Sequence, residues 1–223
     1  GKLLRFSGNR TRGELLIDIG LGKRIASIVA KRVAQLMIES GTRPDALLIT
    51  EESFANNEPI NQVGVTVDGS EGSSVVFSDC CRPVPGDAIL GYLGHGEGLK
   101  VHTSECAVVK KLQRKSSERF IEVDWSSDPT RAFEAAIVVT VNNGKGVLAK
   151  VAGVLSSGEV DITHIDVPDI ASKGPIDLRF LIEVRNKKHL DTVLKTLRHS
   201  PVVLKALRRK DTNEPNPRQN AGS

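Results

Sequence analysis

Cys80-Cys81-Arg82-Pro83-Val84-Pro85-Gly86-Asp87 constrains this 223-residue chain more than any other stretch. Two prolines fix φ and remove two amide donors, so the segment is neither a helix nor a central strand. After twenty intervening residues comes His102-Thr103-Ser104-Glu105-Cys106. All three cysteines of the chain thus share one short module with a histidine. Three thiols and an imidazole are a donor set that closes a tetrahedron around zinc. Adjacent cysteines do not naturally point the same way, so one of the pair reads equally well as a spectator. The set also reads as buried core thiols in a β module. A Cys-His nucleophilic pair would need an orienting Asn or Asp and a cleft, and neither has a signal here. A zinc deaminase would need His-x-Glu and then Pro-Cys-x-x-Cys, which the chain lacks.

The surrounding residues, 61–125, read as a small α+β module. Val63, Val65 and Val67 alternate as a strand, Val75-Val76-Phe77 is a second, Ile89 to Leu93 a third and Leu99 to His102 a fourth. Ser104 to Lys115 reads as a helix, and Phe120, Ile121 and Val123 as a last strand ending near Trp125. A module of about sixty residues has a thin core, which gives it reason to use a metal staple. On its helix Lys110, Lys111, Arg114 and Lys115 form a basic stretch, with Lys111, Arg114 and Lys115 on one face. Such a face can meet RNA phosphates, or simply be a solvated face near a helix C-terminus. His95, between two glycines, reads as a turn residue, and His164, His189 and His199 as solvated or packed side chains.

Residues 133–208 carry a second pattern, β-α-β-β-α-β, the split pair of a ferredoxin-like fold. Ala136 to Val141 is a strand, Val147 to Leu155 an amphipathic helix, and Val160 to Ile165 a strand. Leu178 to Val184 is the next strand, Leu190, Val193, Leu194 and Leu197 mark a helix, and Val202 to Leu204 the last strand. Asn142-Asn143-Gly144-Lys145-Gly146 joins the first strand to the first helix, which opens with Val147 and Leu148. Free amides at a helix start can take a carboxylate, so a small acidic ligand fits this loop. The same residues also read as a flexible connection, and the spacing is neither a P-loop nor a dinucleotide fingerprint.

Residues 1–12 have no period and read as frayed or linker. From Gly13 to Glu39 the apolar spacing is helical, interrupted at Gly20 and Gly22, so two helices with a tight turn are expected, stopping at Gly41. Residues 42–60 read as linker, and the polar residues 211–223 as a disordered tail.

No run of eighteen apolar residues exists, and no signal peptide opens the chain, so no membrane partner is expected. An odd, small number of cysteines argues against a disulfide-built secreted domain and for a reducing cytoplasm. The net charge of +4 is mild, and residues 61–125 hold 7 basic against 9 acidic side chains. Any nucleic-acid contact must therefore come from a local patch. The chain has no initiator Met, which hints at a piece of a longer one. No nucleotide cradle, His-Asp metal-hydrolase pair or Ser-His-Asp set is present, so no catalytic residue is assigned and no complete active site is expected.

The ordered run Cys80 to Asp87, then Gly91-Tyr92, then Val101-His102-Thr103-Ser104-Glu105-Cys106, resembles the C-terminal regulatory half of the RelA/SpoT family. Those enzymes make and hydrolyse the bacterial alarmone (p)ppGpp in the stringent response. The stretch Leu15-Leu16-Ile17-Asp18-Ile19-Gly20-Leu21-Gly22 is similar to the end of the family's helical domain, and residues 133–208 to its terminal ACT domain. The resemblance implies an α+β chain: a helical end (1–41), the linker 42–60, a zinc-finger-like ribosome-intersubunit domain (61–125), an ACT domain (126–210) and the tail 211–223. It implies structural zinc on Cys80, Cys81, His102 and Cys106. It also implies allosteric control of N-terminal hydrolase and synthetase domains through ribosome docking or amino-acid sensing. The ACT ligand would be a small amino acid, a branched-chain one in some relatives, and ACT domains commonly pair into homodimers. The parent enzyme would be a GTP pyrophosphokinase, a (p)ppGpp hydrolase or both, with the bifunctional branch favoured. The competing readings are a free-standing ACT-type amino-acid sensor and a small zinc RNA-binding protein.

Overall fold

The computed structural model describes residues 1–41, 65–94, 98–129, 131–167 and 174–209. The expected linker at 42–60, His95 and the tail at 211–223 lie outside them. Two compact units form: Gly1–Ser78 with Ala88–Thr130, and Asp79–Asp87 with the chain from Arg131 onward.

The first unit opens with three helices, α1 (Lys2–Ser7), α2 (Arg12–Gly20) and α3 (Ala26–Glu39). The frayed reading of residues 1–12 is corrected by α1: Phe6 is buried and, with Ile28 of α3, joins the apolar cluster of the sheet. A six-residue helix leaves too few turns for a visible period, so only packing reveals it. Gly8 ends α1 in the left-handed conformation at φ 72°, where glycine meets no Cβ penalty. Thr11 caps α2 by accepting from the Glu14 amide, and the Glu14 carboxylate accepts in return from the Arg10 amide. On α2 Leu15 is buried, whereas Leu16 and Ile17, and Leu21 just beyond, are exposed.

The sheet of this unit has order β1-β5-β3-β4-β2. Its strands are β1 (Val65–Val67), β2 (Val75–Phe77), β3 (Ile89–Leu93), β4 (Leu99–Thr103) and β5 (Phe120–Trp125), with α4 (Ala107–Ser116) between the last two. The β3 strand is antiparallel to both β4 and β5, while β1–β5 and β2–β4 are parallel. The parallel pairings are invisible in local pattern, because they join segments far apart in sequence. Val67, Val75, Leu93, Leu99, Val101 and Val123 fill the core. Gly91 lies at its centre: a Cβ there would stand 2.7 Å from both Leu99 Cδ1 and Val123 Cγ2. A buried polar group fastens the helices. Arg24 donates to the Gly94 carbonyl and lies 3.9 Å from the Asp18 carboxylate, which also accepts from Asn9 Nδ2 at 2.7 Å.

The second unit carries β6 (Phe133–Asn142), α5 (Val147–Ser157), β7 (Asp161–Asp166), β8 (Pro175–Val184), α6 (Lys187–His199) and β9 (Val203–Arg208). All pairings in its sheet, of order β7-β8-β6-β9, are antiparallel, which is the ferredoxin-like arrangement. The β6 and β8 strands pair along their whole lengths, from Phe133↔Val184 to Asn142↔Pro175. One face buries Phe133, Ala135, Ile137, Val139 and Val141 of β6 with Ile176, Leu178, Phe180 and Ile182 of β8. Helix α6 is capped by Asn186, which accepts from the His189 amide, and buries Leu190, Val193, Leu194 and Leu197. His189 is a packed side chain, its Nε2 2.8 Å from the Gly158 carbonyl. The last strand runs to Arg208, beyond the expected 202–204.

Candidate metal centre

Parallel pairing of β2 with β4 sets Phe77 opposite Val101, and the Ser78 amide donates to the Val101 carbonyl at 2.9 Å. The chain leaving β2 therefore arrives beside the C-terminal end of β4, where His102 stands. At the far end of the cysteine segment the Ser104 amide donates to the Ala88 carbonyl at 2.8 Å. Cys106 then occupies the N-cap position of α4, its side chain making no capping hydrogen bond. Ser78 and Ala88, the residues that flank the segment from Asp79 to Asp87, are thus tied to Val101 and Ser104.

The ligand atoms of Cys80, Cys81, His102 and Cys106 all lie within 4.8 Å of one another. Cys81, His102 and Cys106 are buried and Cys80 is half-buried. All three cysteines are thiols without a disulfide. The spectator reading of one cysteine meets this geometry directly: both members of the adjacent pair reach the cluster. The backbone turns hard after them, with Arg82 at φ 40° and Gly86 at φ 96°. A non-glycine residue in the left-handed region costs about 1–2 kcal/mol and persists only where its surroundings hold it. Three sulfurs and one imidazole nitrogen, mostly out of water and mutually close, fit a closed structural zinc site. Zinc there would supply cross-linking of the loop to β4 and α4 and no open position for chemistry. The residues' part is to lose thiol protons on binding and to exclude water from the centre.

The other expected site residues are not brought to this cluster. Lys110, Lys111, Arg114 and Lys115 are exposed along α4. From the end of β6 to the start of α5, Asn142, Gly144, Lys145, Gly146 and Leu148 are exposed, and Asn143 and Val147 are half-buried. Two amides of that loop are turned onto the chain itself: Asn143 donates to the Gly174 carbonyl and Val147 to that of Gly144. Gly146 takes φ 75° at the start of α5. Sequence reasoning missed Arg208. Its guanidinium reaches the cysteine loop at Asp87, and nothing in a basic residue at the end of a strand announces this.

No helix among the described residues is long and apolar enough to cross a membrane. The family models that match are the RelA/SpoT RIS domain over residues 65–126 and the ACT domain over 129–208. The chain is 27% identical over 202 residues to the bifunctional (p)ppGpp synthase/hydrolase SpoT of Escherichia coli (strain K12), covering 90% of this chain and 26% of that one. It is 38% identical over 144 residues to the GTP pyrophosphokinase of Streptomyces coelicolor, covering 65% of this chain and 16% of that one. The solved ACT domain from the GTP pyrophosphokinase of Chlorobium tepidum aligns at 26% identity and a TM-score of 0.32, over 35% of this chain and 99% of its own. The chain spans about a quarter or less of the length of these curated relatives. The chain thus carries a RelA/SpoT RIS domain followed by an ACT domain, and its relatives are SpoT and RelA (p)ppGpp synthetase/hydrolase enzymes, which it matches over their C-terminal region.

Proposed function

We propose that this chain is the non-catalytic regulatory part of a bifunctional (p)ppGpp synthetase/hydrolase of the stringent response. Its partners would be that enzyme's N-terminal hydrolase and synthetase domains. The observation that carries the reading is a complete Cys80, Cys81, His102 and Cys106 cluster inside the RIS stretch, directly followed in sequence by an ACT domain. Control would run from the ribosome, from an amino acid, or from both, in the cytoplasm. For docking on rRNA, the support is the exposed basic side of α4, with Lys110, Lys111, Arg114 and Lys115. For amino-acid sensing, the support is the largely exposed stretch from Asn142 to Leu148 that leads into α5. The open edges of the ACT sheet, β7 and β9, support pairing into a homodimer. Zinc is the metal that the donor set favours, in a structural role.

Sedimentation with ribosomes across a salt series tests the docking arm. The chain should pellet with ribosomes at low salt, and Lys111→Glu, Arg114→Glu and Lys115→Glu together should release it. Calorimetric titration with valine, isoleucine and leucine tests the sensing arm. A chain that stays in the supernatant and gives flat titrations with all three amino acids would sink the regulatory reading.

A further inference from the structure

Within the C-terminal unit, the cysteine loop is held by residues far from it in sequence. Arg208, the last residue of β9, and Asp87, the last residue of the loop, are 121 positions apart. Arg208 Nη1 donates to Asp87 Oδ1 at 2.8 Å, and Nη2 donates to Oδ2 at 2.6 Å. The same Nη2 donates to the Arg82 carbonyl at 2.8 Å. The two side chains are only 10% and 8% exposed. Such a buried two-pronged pair is directional, unlike an exposed strand-end arginine. The grip is reinforced around it. The Lys187 amide, first in α6, donates to the Pro85 carbonyl at 2.8 Å. Asp87 Oδ2 also accepts from the Val84 amide at 3.0 Å. Arg82 donates through Nη1 to the Asp79 carbonyl at 2.8 Å and lies 3.7 Å from Glu134 of β6. The carbonyl that Arg208 holds therefore belongs to the residue whose backbone stands at φ 40°, next to Cys81.

We propose that Arg208 is a positioning residue for the cysteine loop. Through Asp87 and the Arg82 carbonyl it keeps Cys80 and Cys81 in their ligating arrangement, so that metal retention depends on the last strand of the ACT sheet. The positioning stands on hydrogen bonds alone, and the retention rests on the zinc reading above. Coupling of this kind would let a change at the ACT sheet be felt at the RIS thiols without passing along the chain between them.

The test uses the full chain, stripped of metal with EDTA under reductant, and follows iodoacetamide alkylation of each cysteine by mass spectrometry. Arg208→Met removes the fork and keeps the apolar stem. It should speed alkylation of Cys80 and Cys81 by about tenfold, as expected of a local opening, and leave Cys106 within about twofold. Arg208→Lys keeps the charge without the fork and should fall between. Asp87→Asn removes the loop's charge with β9 unaltered and should repeat the selective effect of Arg208→Met. Wild-type rates at Cys80 and Cys81, or an equal rise at all three cysteines in both Arg208→Met and Asp87→Asn, would overturn the proposal. A second arm loads zinc and follows its capture by a chromogenic chelator. Faster release from Arg208→Met supports retention through Arg208, and unchanged release overturns it. A wild-type chain that takes up no zinc removes the zinc reading, while the alkylation rates still decide the positioning.

Discussion

The two sheets of this protein solve the same problem with different resources. In the C-terminal sheet, β6 and β8 run ten residues each, alternate cleanly and pair from end to end. Two helices then cover a continuous apolar face. In the N-terminal sheet two of the five strands have three residues, and none has more than six. That unit also holds the buried polar or charged residues Ser7, Asn9, Asp18, Arg24, Ser78 and His102, whereas the charged pair of the C-terminal unit, Asp87 with Arg208, keeps 8% and 10% of its side chains exposed. Long, regularly patterned strands bury enough apolar surface to hold themselves. Short strands do not, and here they recruit Phe6 and Ile28 from the helices, a buried Arg24–Asp18 contact, and the His102 and Cys106 members of the thiol–imidazole cluster. A buried ion pair adds little net stability, but it fixes geometry, since either partner left alone is strongly unfavourable.

The largest expected effect tests whether the short-stranded sheet leans on a metal. Protein purified without chelator should carry near-stoichiometric zinc by element analysis, and Cys106→Ser should lose it. Structural zinc is worth roughly 10 kcal/mol or more in small zinc modules. Amide exchange across β3, β4 and β5 should therefore accelerate steeply, with β6 and β8 still protected. Metal-free protein with undiminished protection in β3 and β4 would mean that the apolar cluster suffices, and the contrast between the sheets would collapse.

Next comes the converse test. Phe180 is about the largest fully buried side chain and sits in β8. Phe180→Ala should cost about 3–5 kcal/mol through lost transfer energy and a cavity. Amide exchange should report the loss in β6 and β8 while zinc content stays unchanged. A variant that also sheds its zinc would show that the two regions are less independent in their energetics than their cores suggest, and would point again to Arg208.

The smallest of the three is Arg24→Met, which leaves Asp18 buried without its cation. Asp18 keeps the hydrogen bond from Asn9, so about 2–3 kcal/mol is expected rather than the full penalty of an isolated charge. The Arg24→Met, Asp18→Leu double variant should recover much of it, because two apolar groups need no partner. Thermal unfolding of the single and double variants measures the difference. A double variant as unstable as the single would mean that Arg24 acts through the Gly94 carbonyl and not through Asp18.

How much was legible from sequence follows the same division. The β-α-β-β-α-β order of residues 133–208 was plain, because its strands and helices are long enough to show their periods. The helix α4 and the strands around it were also legible, within two or three residues at the ends. Helix α1 was missed, since six residues cannot display a period and Phe6 is buried only by partners elsewhere in the chain. The four residues of the candidate metal centre were legible as a set, because few side chains offer sulfur or imidazole and all the sulfur donors lie together.

Residue type and spacing by themselves determined most of this protein's strands and helices, its candidate donor set and the turn that two prolines and a glycine force between the strands. Only the tertiary structure decided that both members of the Cys80-Cys81 pair reach the cluster. The cause is parallel pairing of β2 with β4, which no local pattern encodes. Only the tertiary structure, too, placed Arg208 on Asp87. An arginine's sequence context says that it is charged, not where its fork lands. That depends on two strands and a loop being folded against one another first, because a hydrogen bond acts over about 3 Å of space and is blind to distance along the chain.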